Sequence, residues 1–315
     1  MKRKMLNVPK GGYDGMKGFT IVEFLVAGLL SVIVLIAVVS SYFTSRKLND
    51  AANERLAEQQ DLRNAATLIV RDARMAGSFG CFNMSEHIEQ DVVSDVTQKN
   101  SPFSLKRNST RNSANKLIPI AESSNIVYQG FAQVRPALIF QYGIDDVNAS
   151  AETTVVSSCG AISKPGKQIP TLEDAKKELK IQNSGKEQNG NIARQRHVVN
   201  AYAVGRIAGE EGLFRFQLDD KGKWGNPQLL AKKIKRMKVL YIYVSGCPED
   251  EDAGKEEQFK YTDKFDSSVT PAGVEVLLDS GGLNAKIAAS SDNSIYAYRI
   301  NATIRGGNVC ANRTL

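Results

Sequence analysis

The four cysteines have a spacing that can be interpreted chemically. Cys81, Cys159, Cys247 and Cys310 all follow the long apolar run that starts near residue 19, and no two of them form a CxxC pair. Structural zinc sites use closely spaced ligands, so a metal site is disfavoured. An even number of cysteines in an exported domain favours two disulfides, for which three connectivities exist. Cys247 ends one predicted strand and Cys310 follows the last, so we favour the pairs Cys81–Cys159 and Cys247–Cys310.

The other reactive side chains form no recognisable catalytic pattern. The two histidines, His87 and His197, lie 110 residues apart in polar contexts, and we expect both at the surface. No serine stands in a GxSxG setting, and there is no glycine-rich phosphate loop of the Walker or Rossmann type. The sequence therefore predicts neither an enzyme nor a bound cofactor or metal.

Two charged clusters have the composition to bind ions or partners. The acidic run Glu249–Asp252 offers oxygen donors for calcium but lacks the alternate spacing and turn glycine of a dedicated loop, so a solvated loop is favoured. The second group, called here the basic cluster, comprises Lys232, Lys233, Lys235, Arg236 and Lys238. Such a cluster can contact nucleic-acid phosphates or an acidic partner. The favoured explanation is that its lysines protect an edge strand from aggregation.

These side chains belong to a chain of 315 residues, of which 42% are hydrophobic and 24% charged, a composition typical of a globular protein. The formal net charge is +7, and the first 18 residues carry +4 of it. Residues 19–43 then contain one charge, Glu23, and as a helix would extend about 37 Å, enough to cross a bilayer core of about 30 Å. The preceding basic residues predict a single span with a cytoplasmic N-terminus.

The start of the apolar run differs from a secretory signal peptide, which has an apolar core of about 7 to 15 residues and no carboxylate within it. Gly18 precedes the run, Phe19 begins it, and Glu23 is the fifth residue from Phe19. The sequence of residues 17–23, KGFTIVE, resembles the class III signal of type IV prepilins. The resemblance implies that a prepilin peptidase cleaves between Gly18 and Phe19 and methylates the new amine of Phe19.

A carboxylate one turn into an apolar helix is costly in lipid and needs a partner. The resemblance implies that Glu23 pairs with the α-amine of Phe19 in a neighbouring subunit and so sets the assembly register. The alternative is a plain signal anchor, in which Glu23 lies near the headgroups and is favoured by the dipole at the helix N-terminus.

Helical periodicity continues beyond residue 43. An apolar stripe with polar residues on the other faces comprises Leu48, Ala52, Leu56, Gln59, Leu62, Ala66, Ile69, Val70 and Ala73. With no proline or glycine between residue 43 and Gly77, the pattern predicts one helix of roughly 55 residues from Phe19 to about Met75. A juxtamembrane coiled coil is disfavoured because the stripe does not keep a strict heptad.

After Gly77 the pattern changes to short alternating runs, which are typical of strands. The predicted strands are Leu117–Ile120, Asn125–Gln129, Ala137–Tyr142, Val198–Arg206, Leu213–Leu218, Ile234–Val244, Val274–Leu278 and Ile295–Ile304. Long polar loops are predicted at residues 83–116, 149–196 and 247–272. The last strand has one far more apolar face, which includes Ile300 and Ile304 and is expected to pack against the helix.

The stretch RDARMAGSFGCF, at residues 71–82, narrows the resemblance. Together with the chain length and the strand near Lys235, it resembles the PilW group of minor pilins, which are related to the J-type pseudopilin of type II secretion. The resemblance implies an α+β type IV pilin ladle fold: a long helix packed on an antiparallel β-sheet head with long loop insertions. Its expected parts are a leader (1–18), a transmembrane half-helix (19–43), an amphipathic half-helix (44–76) and a disulfide-stapled head (77–315).

The function implied by this resemblance is structural. A minor pilin would insert in the inner membrane, with its head in the periplasm, and later join the pilus tip at the cell surface. Its expected partners are the prepilin peptidase, other minor pilins, the major pilin, the inner-membrane assembly platform and membrane lipid, with nucleic acid left open. It would prime or cap type IV pilus assembly, in support of twitching, adhesion or DNA uptake. The alternative is a pseudopilin at the tip of a type II secretion pseudopilus.

Overall fold

The structure is a computed structural model that describes residue 18 and residues 20–98, 101–106, 115–181, 191–245, 258–279 and 298–307. It has an α+β architecture, with one long N-terminal helix followed by a β-rich region. The chain divides into two compact units, Met1–Ala57 and Glu58–Leu315. The division falls inside the predicted amphipathic segment 44–76, so the last turns of the helix belong to the same unit as the sheets. The unit Glu58–Leu315 is called the head below, and it includes the end of the helix in addition to the expected head of residues 77–315.

Helix α1 spans Ile21–Met75 and confirms the predicted single helix. Every described side chain from residue 21 to residue 57 is exposed, whereas Ala65, Ile69 and Ala73 are completely buried. Gly77 follows the helix with a φ of +80°, the left-handed conformation that favours glycine after a helix C-terminus. Its N–H donates to the Gln141 carbonyl at 2.8 Å, which turns the chain toward the large sheet.

The head contains fifteen strands and one further α-helix within the described residues. The strands are β1 (Ser78–Phe79), β2 (Phe82–Asn83), β3 (Val92–Asp95), β4 (Ile120–Ser123), β5 (Ala132–Gln133), β6 (Ala137–Ile144), β7 (Thr154–Ser157), β8 (Ile162–Lys164), β9 (Ala193–Ile207), β10 (Glu210–Leu218), β11 (Trp224–Lys232), β12 (Arg236–Ser245), β13 (Gln258–Thr262), β14 (Gly273–Asp279) and β15 (Tyr298–Thr303). Helix α2 spans Leu172–Glu178 and is capped by the Thr171 side chain. Two short 3-10 turns cover Met84–Glu86 and Glu89–Asp91.

The described strands form a nine-stranded sheet, a four-stranded sheet and a small hairpin. The large sheet follows the path β11-β10-β9-β7-β8-β3, with β6 and β5 also paired to β9 and β4 paired to β6. The small sheet has the order β13-β12-β14-β15. Pairing is antiparallel except between β3 and β8, which are parallel, so the expectation of an antiparallel head needs this one correction.

The main core of the head lies between the end of α1 and one face of both sheets. Ala65 and Ile69 of the helix share a cluster with Phe140 of the large sheet and Val276 and Ile300 of the small one. The apolar face of the last strand thus packs with the helix, as predicted. Because small alanines alternate with Ile69 along this helix face, sheet side chains approach the helix closely. A second cluster, built around the β9 and β10 residues Val199 and Phe216, covers the opposite face of the large sheet.

Five of the predicted strands, those near 137, 198, 213, 234 and 274, correspond to β6, β9, β10, β12 and β14. The prediction of a strand at Asn125–Gln129 is wrong. Ile126 is buried there, but its N–H donates to the Gln133 side chain at 2.8 Å instead of to a neighbouring strand. Ile126 therefore belongs to a buried loop, in which its backbone N–H is bonded by a side chain and not by a neighbouring strand.

The three predicted loops also contain regular structure. Strand β3 lies in residues 83–116, β7, β8, α2 and the start of β9 lie in 149–196, and β13 lies in 247–272. These elements were missed because they are short or polar: β7 and β8 have four and three residues, and α2 has seven. The predicted last strand begins at Tyr298 in the structure, and its first residues lie outside the described part.

Candidate functional site

The predicted processing site lies at the start of α1. Gly18 is exposed, and apart from its chain neighbours no heavy atom of the described residues lies within 4 Å of the position that a Cβ would occupy there. Phe19 lies outside the described residues. Accessible backbone next to small residues is where proteases act most readily. The surroundings of Gly18 are therefore compatible with cleavage.

Glu23 takes part in a hydrogen-bonded cap with Thr20. The N–H and the hydroxyl of Thr20 donate to Glu23 Oε2 at 2.9 and 3.0 Å, and the Glu23 N–H donates to Thr20 Oγ1 at 3.3 Å. This reciprocal arrangement is a capping box, whose signature is Thr or Ser followed three residues later by Glu. The sequence interpretation overlooked it although both residues were visible. Among the described residues, Glu23 Oε1 keeps no hydrogen-bond partner.

The helix surface that follows is apolar on all sides. Ile21, Phe24 and Leu35 are 80%, 76% and 65% exposed. The most apolar 18-residue window of α1 has a mean hydropathy of 2.9, and none of it is buried. By length and composition, α1 is a candidate membrane span near the N-terminus.

A buried carboxylate, Asp72, lies at the other end of the same helix and is completely inaccessible to solvent. Its Oδ1 accepts from the Tyr142 hydroxyl of β6 at 2.9 Å. Its Oδ2 accepts from the Tyr202 hydroxyl and the Asn200 amide of β9, at 2.7 and 2.9 Å. Burying a carboxylate is tolerated only when such donors replace water. Asp72 therefore joins the helix to two central strands of the large sheet.

Two arginines complete the group, which is called the Asp72 cluster. Arg71 donates to Oδ1 at 2.9 Å, and Arg215 of β10 donates to Oδ2 at 3.3 Å through two of its nitrogens. Burial, followed by the nearby Asp72 charge, raises the pKa of Tyr142 to about 12. The tyrosine hydroxyls thus stay protonated and act as donors. The Asp72 cluster therefore fixes the end of the helix to three strands of the large sheet.

The disulfide Cys81–Cys159 joins the segment after α1 to the end of β7 and is the first pair favoured from the sequence. The two Cα atoms are 4.7 Å apart. The Ser157 hydroxyl donates to the Phe79 carbonyl at 2.7 Å, a second link between the same segments. The other expected pair, Cys247 with Cys310, lies outside the described residues, as does the whole acidic run at 249–252.

The basic cluster is largely neutralised by carboxylates. Lys233 lies 3.0 Å from Glu58 of α1, and Arg236 pairs with Asp279 of β14. Carboxylates also lie within 4.0 Å of Lys232 and Lys238. Paired cations offer less free charge to a phosphate backbone, so these contacts argue against nucleic-acid binding here. The edge-strand explanation fits these residues. Lys232 ends β11, the outermost strand of the large sheet among the described residues. β13 pairs with β12 only at residues 241–245, so within the described part of the chain Arg236 and Lys238 have a strand partner on one side only, β14.

The histidines were both expected at the surface, and the structure corrects this. His197 is 1% exposed and lies on β9, stacked on Phe103 with ring centroids 4.9 Å apart. His87 is partly buried, stacks on Phe82 and lies 2.9 Å from the Asp91 carboxylate. The polar neighbours of His197 in the sequence point to the other face of the strand, which is why its context misled the prediction.

Comparison with known proteins does not assign this chain to a family. No protein-family model matches it, and no curated protein matches it significantly. The resemblance to pilins therefore rests on residues 17–23 and 71–82 together with the long apolar helix.

Proposed function

We propose that this chain is a minor pilin that primes or caps a type IV pilus and resembles the PilW group. The observation that carries the proposal is the arrangement at the start of α1. Gly18 immediately precedes the apolar run, Glu23 is the single charge between residues 19 and 43, and the exposed surface around it is apolar. A processed subunit with this helix would insert in a membrane and then transfer to a filament core by exchanging lipid contacts for helix contacts.

Glu23 has the chemistry to set the register of that transfer. Its Oε2 is used by the Thr20 cap, while its Oε1 has no partner among the described residues. Cleavage after Gly18 would create a cationic α-amine at Phe19. In an apolar environment, an uncompensated carboxylate is costly and attraction to an amine is strong, so a neighbouring subunit's amine is favoured at one helical stagger.

The proposed location follows from the same helix. The subunit would cross the inner membrane once, with residues 1–18 in the cytoplasm and the head in the periplasm. Its partners would be the prepilin peptidase, the assembly platform, other minor pilins and the major pilin. A head joined by Cys81–Cys159 suits an oxidising compartment, which supports export.

The cap gives a plain alternative role for Glu23, and two substitutions separate the roles. Glu23→Gln keeps an oxygen for the Thr20 cap but removes the charge, whereas Thr20→Ala removes the hydroxyl but keeps the charge. If Glu23 pairs with an amine, Glu23→Gln prevents co-assembly with pilus subunits and Thr20→Ala leaves it nearly normal. Co-purification of the subunit with sheared pili measures this. The reverse order of effects would show that Glu23 serves only the cap.

Processing is tested by mass spectrometry of the N-terminus. A minor pilin is expected in sheared surface filaments with N-methylated Phe19 as its first residue. A processed form confined to the membrane fraction would favour the alternative, a type II secretion pseudopilin. An unprocessed chain beginning at Met1 would overturn both assignments.

A further inference from the structure

A second buried charged residue, Lys164, lies in the head outside the sites described above. Lys164 ends β8 and is completely buried. Its Nζ donates to the Phe103 carbonyl at 2.8 Å and lies 3.4 Å from His197 Nδ1. Lysine is rarely buried without a carboxylate partner. Among the described residues, however, no carboxylate oxygen lies within ion-pair distance of this amine.

The hydrogen bonds around Lys164 and His197 identify which of their nitrogen atoms carry protons. The Gln141 amide nitrogen donates to the Ile118 carbonyl, so its Oε1 faces His197 Nε2, at 3.1 Å, as an acceptor. A neutral His197 therefore carries its proton on Nε2 and leaves Nδ1 as an acceptor toward Lys164. A neutral lysine amine has two N–H donors, and Phe103 O and His197 Nδ1 supply two acceptors. These two acceptors satisfy both protons of the neutral amine. The third proton of the ammonium form would face only the Phe103 ring, whose centroid lies 3.1 Å from Nζ.

The Lys164 amine also helps to hold a short segment of the head in place. Phe103 belongs to the segment Ser101–Lys106, called loop 101–106, and its ring covers His197. Another attachment of this loop is Asp95 on β3, whose Oδ2 accepts from the Ser104 hydroxyl and the Leu105 N–H at 2.9 and 2.8 Å. Loop 101–106 is thus held by the Lys164 amine and by the Asp95 carboxylate. It is also held by an ion pair between Lys106 and Glu89 at 3.5 Å, and Phe103 and Leu105 are buried in two core clusters of the head.

We propose that Lys164 makes the docking of loop 101–106 dependent on pH, with the docked state favoured when the amine is neutral and weakened when it is protonated. The groups that act on Lys164 are His197 from β9, Asp95 from β3 and the Phe103 carbonyl of the loop. Opening the loop would admit water to the amine and remove the penalty of burying its charge. A pH-dependent docking of this kind would expose or cover loop 101–106 of the head according to the external pH.

The direction of the effect follows from proton linkage. Burial lowers the pKa of Lys164 from 10.5 to about 7, while Asp95 opposes the shift. The open state, with a hydrated amine, therefore binds more protons between pH 7 and 10.5, and docking strengthens as pH rises through that window. Below about pH 7 the lysine contribution levels off. His197, whose pKa burial and Lys164 hold well below 6.5, then weakens docking further as it is protonated.

The first test is a direct titration of the full chain in detergent micelles, with lysine labelled at the ε-carbon with carbon-13. The Lys164 resonance, assigned by its absence from Lys164→Met, is expected to titrate near pH 7, in contrast to the exposed Lys177. A Lys164 resonance that titrates near pH 10 would overturn the proposal. This measurement needs only the wild-type protein once the resonance is assigned.

The second test measures loop opening by chymotrypsin cleavage after Phe103. Each rate is divided by that of Lys164→Met at the same pH, which removes the pH dependence of the protease. The ratio is expected to rise roughly 15-fold between pH 8.5 and 7.0 in the wild type and in the matched control Lys177→Met. A ratio that stays constant between these pH values would overturn the proposal. If Lys164→Met does not fold, wild-type cleavage is normalised to a free peptide containing residues 101–106, with the same two outcomes.

Discussion

Helix α1 carries a carboxylate in apolar surroundings near each end, and the two differ in where their partners come from. Glu23 is held by Thr20, three residues away in the sequence. Asp72 is held by donors up to 143 positions away, on three strands of the large sheet. A carboxylate with a local partner keeps capacity for another molecule, whereas one surrounded by distant partners is committed to its own fold.

Under the proposed function, the difference separates an assembly role for Glu23 from a folding role for Asp72 within one helix. Residues 21–57 expose every described side chain, while the turns from Ala65 onward are buried in the main core. Glu23 is therefore expected to matter for partners and Asp72 for the stability of the head. Three substitutions test this contrast, and the single tryptophan, Trp224 on β11, provides a fluorescence probe of head unfolding.

The largest effect is expected for Asp72→Ala. It leaves two tyrosine hydroxyls, an asparagine amide and Arg215 without their acceptor, and removing one member of a buried ion pair costs about 3 to 5 kcal/mol. Urea denaturation followed through Trp224 measures the loss. Asp50→Ala, an exposed position on the same helix, is the control and should change stability by less than about 0.5 kcal/mol. Equal losses of stability for Asp72→Ala and Asp50→Ala would show that the buried Asp72 carboxylate does not stabilise the head.

A smaller effect is expected for Tyr202→Phe, which removes one donor from Asp72 and leaves the other donors in place. Loss of a hydrogen bond to a charged group costs about 1.5 to 3 kcal/mol. The matched control is Tyr261→Phe on β13, whose side chain is 58% exposed. Urea midpoints of the two variants are compared. A urea midpoint of Tyr202→Phe equal to that of Tyr261→Phe would show that the hydrogen bond from Tyr202 to Asp72 contributes little to the stability of the head.

The smallest effect on the head is expected for Glu23→Gln. Glu23 lies in the first compact unit, makes no side-chain hydrogen bond beyond its own cap with the residues that the structure describes, and should leave the urea midpoint of the head unchanged. The same protein should nevertheless fail in the pilus co-purification described above. A shifted midpoint would show that Glu23 contributes to head stability and would break the contrast with Asp72.

The features predicted correctly are those with local causes. The helix Ile21–Met75 was predictable because its apolar run and stripe extend without a break, and β9, β10 and β14 because their residues alternate or are continuously apolar. The capping box of Thr20 and Glu23 was equally local and was overlooked. Strands such as β7, β8 and β13 were missed because they have only three to five residues, too few to show a clear alternation.

Residue type alone did not indicate which polar side chains are buried. Asp72 stood in a motif that indicated a family but not a role, since its donors come from β6, β9 and β10. His197 was expected at the surface, but in the folded head, where β8 and β9 pair with β7, both His197 and Lys164 are buried. The basic cluster looked free, and the tertiary structure placed carboxylates beside most of it.

The sequence by itself determined the long N-terminal helix, the single charge Glu23 within its apolar segment 19–43, the position of Gly18 and the alternating strands of the head. These depend on periodicity and on neighbours a few residues away. The sequence favoured Cys81–Cys159 among three possible connectivities, and the structure contains that pair. Only the tertiary structure decided that Asp72 is enclosed by five donor side chains and that Lys164 lies beneath loop 101–106. Burial and pairing depend on contacts between residues far apart in the chain, and no local pattern specifies them.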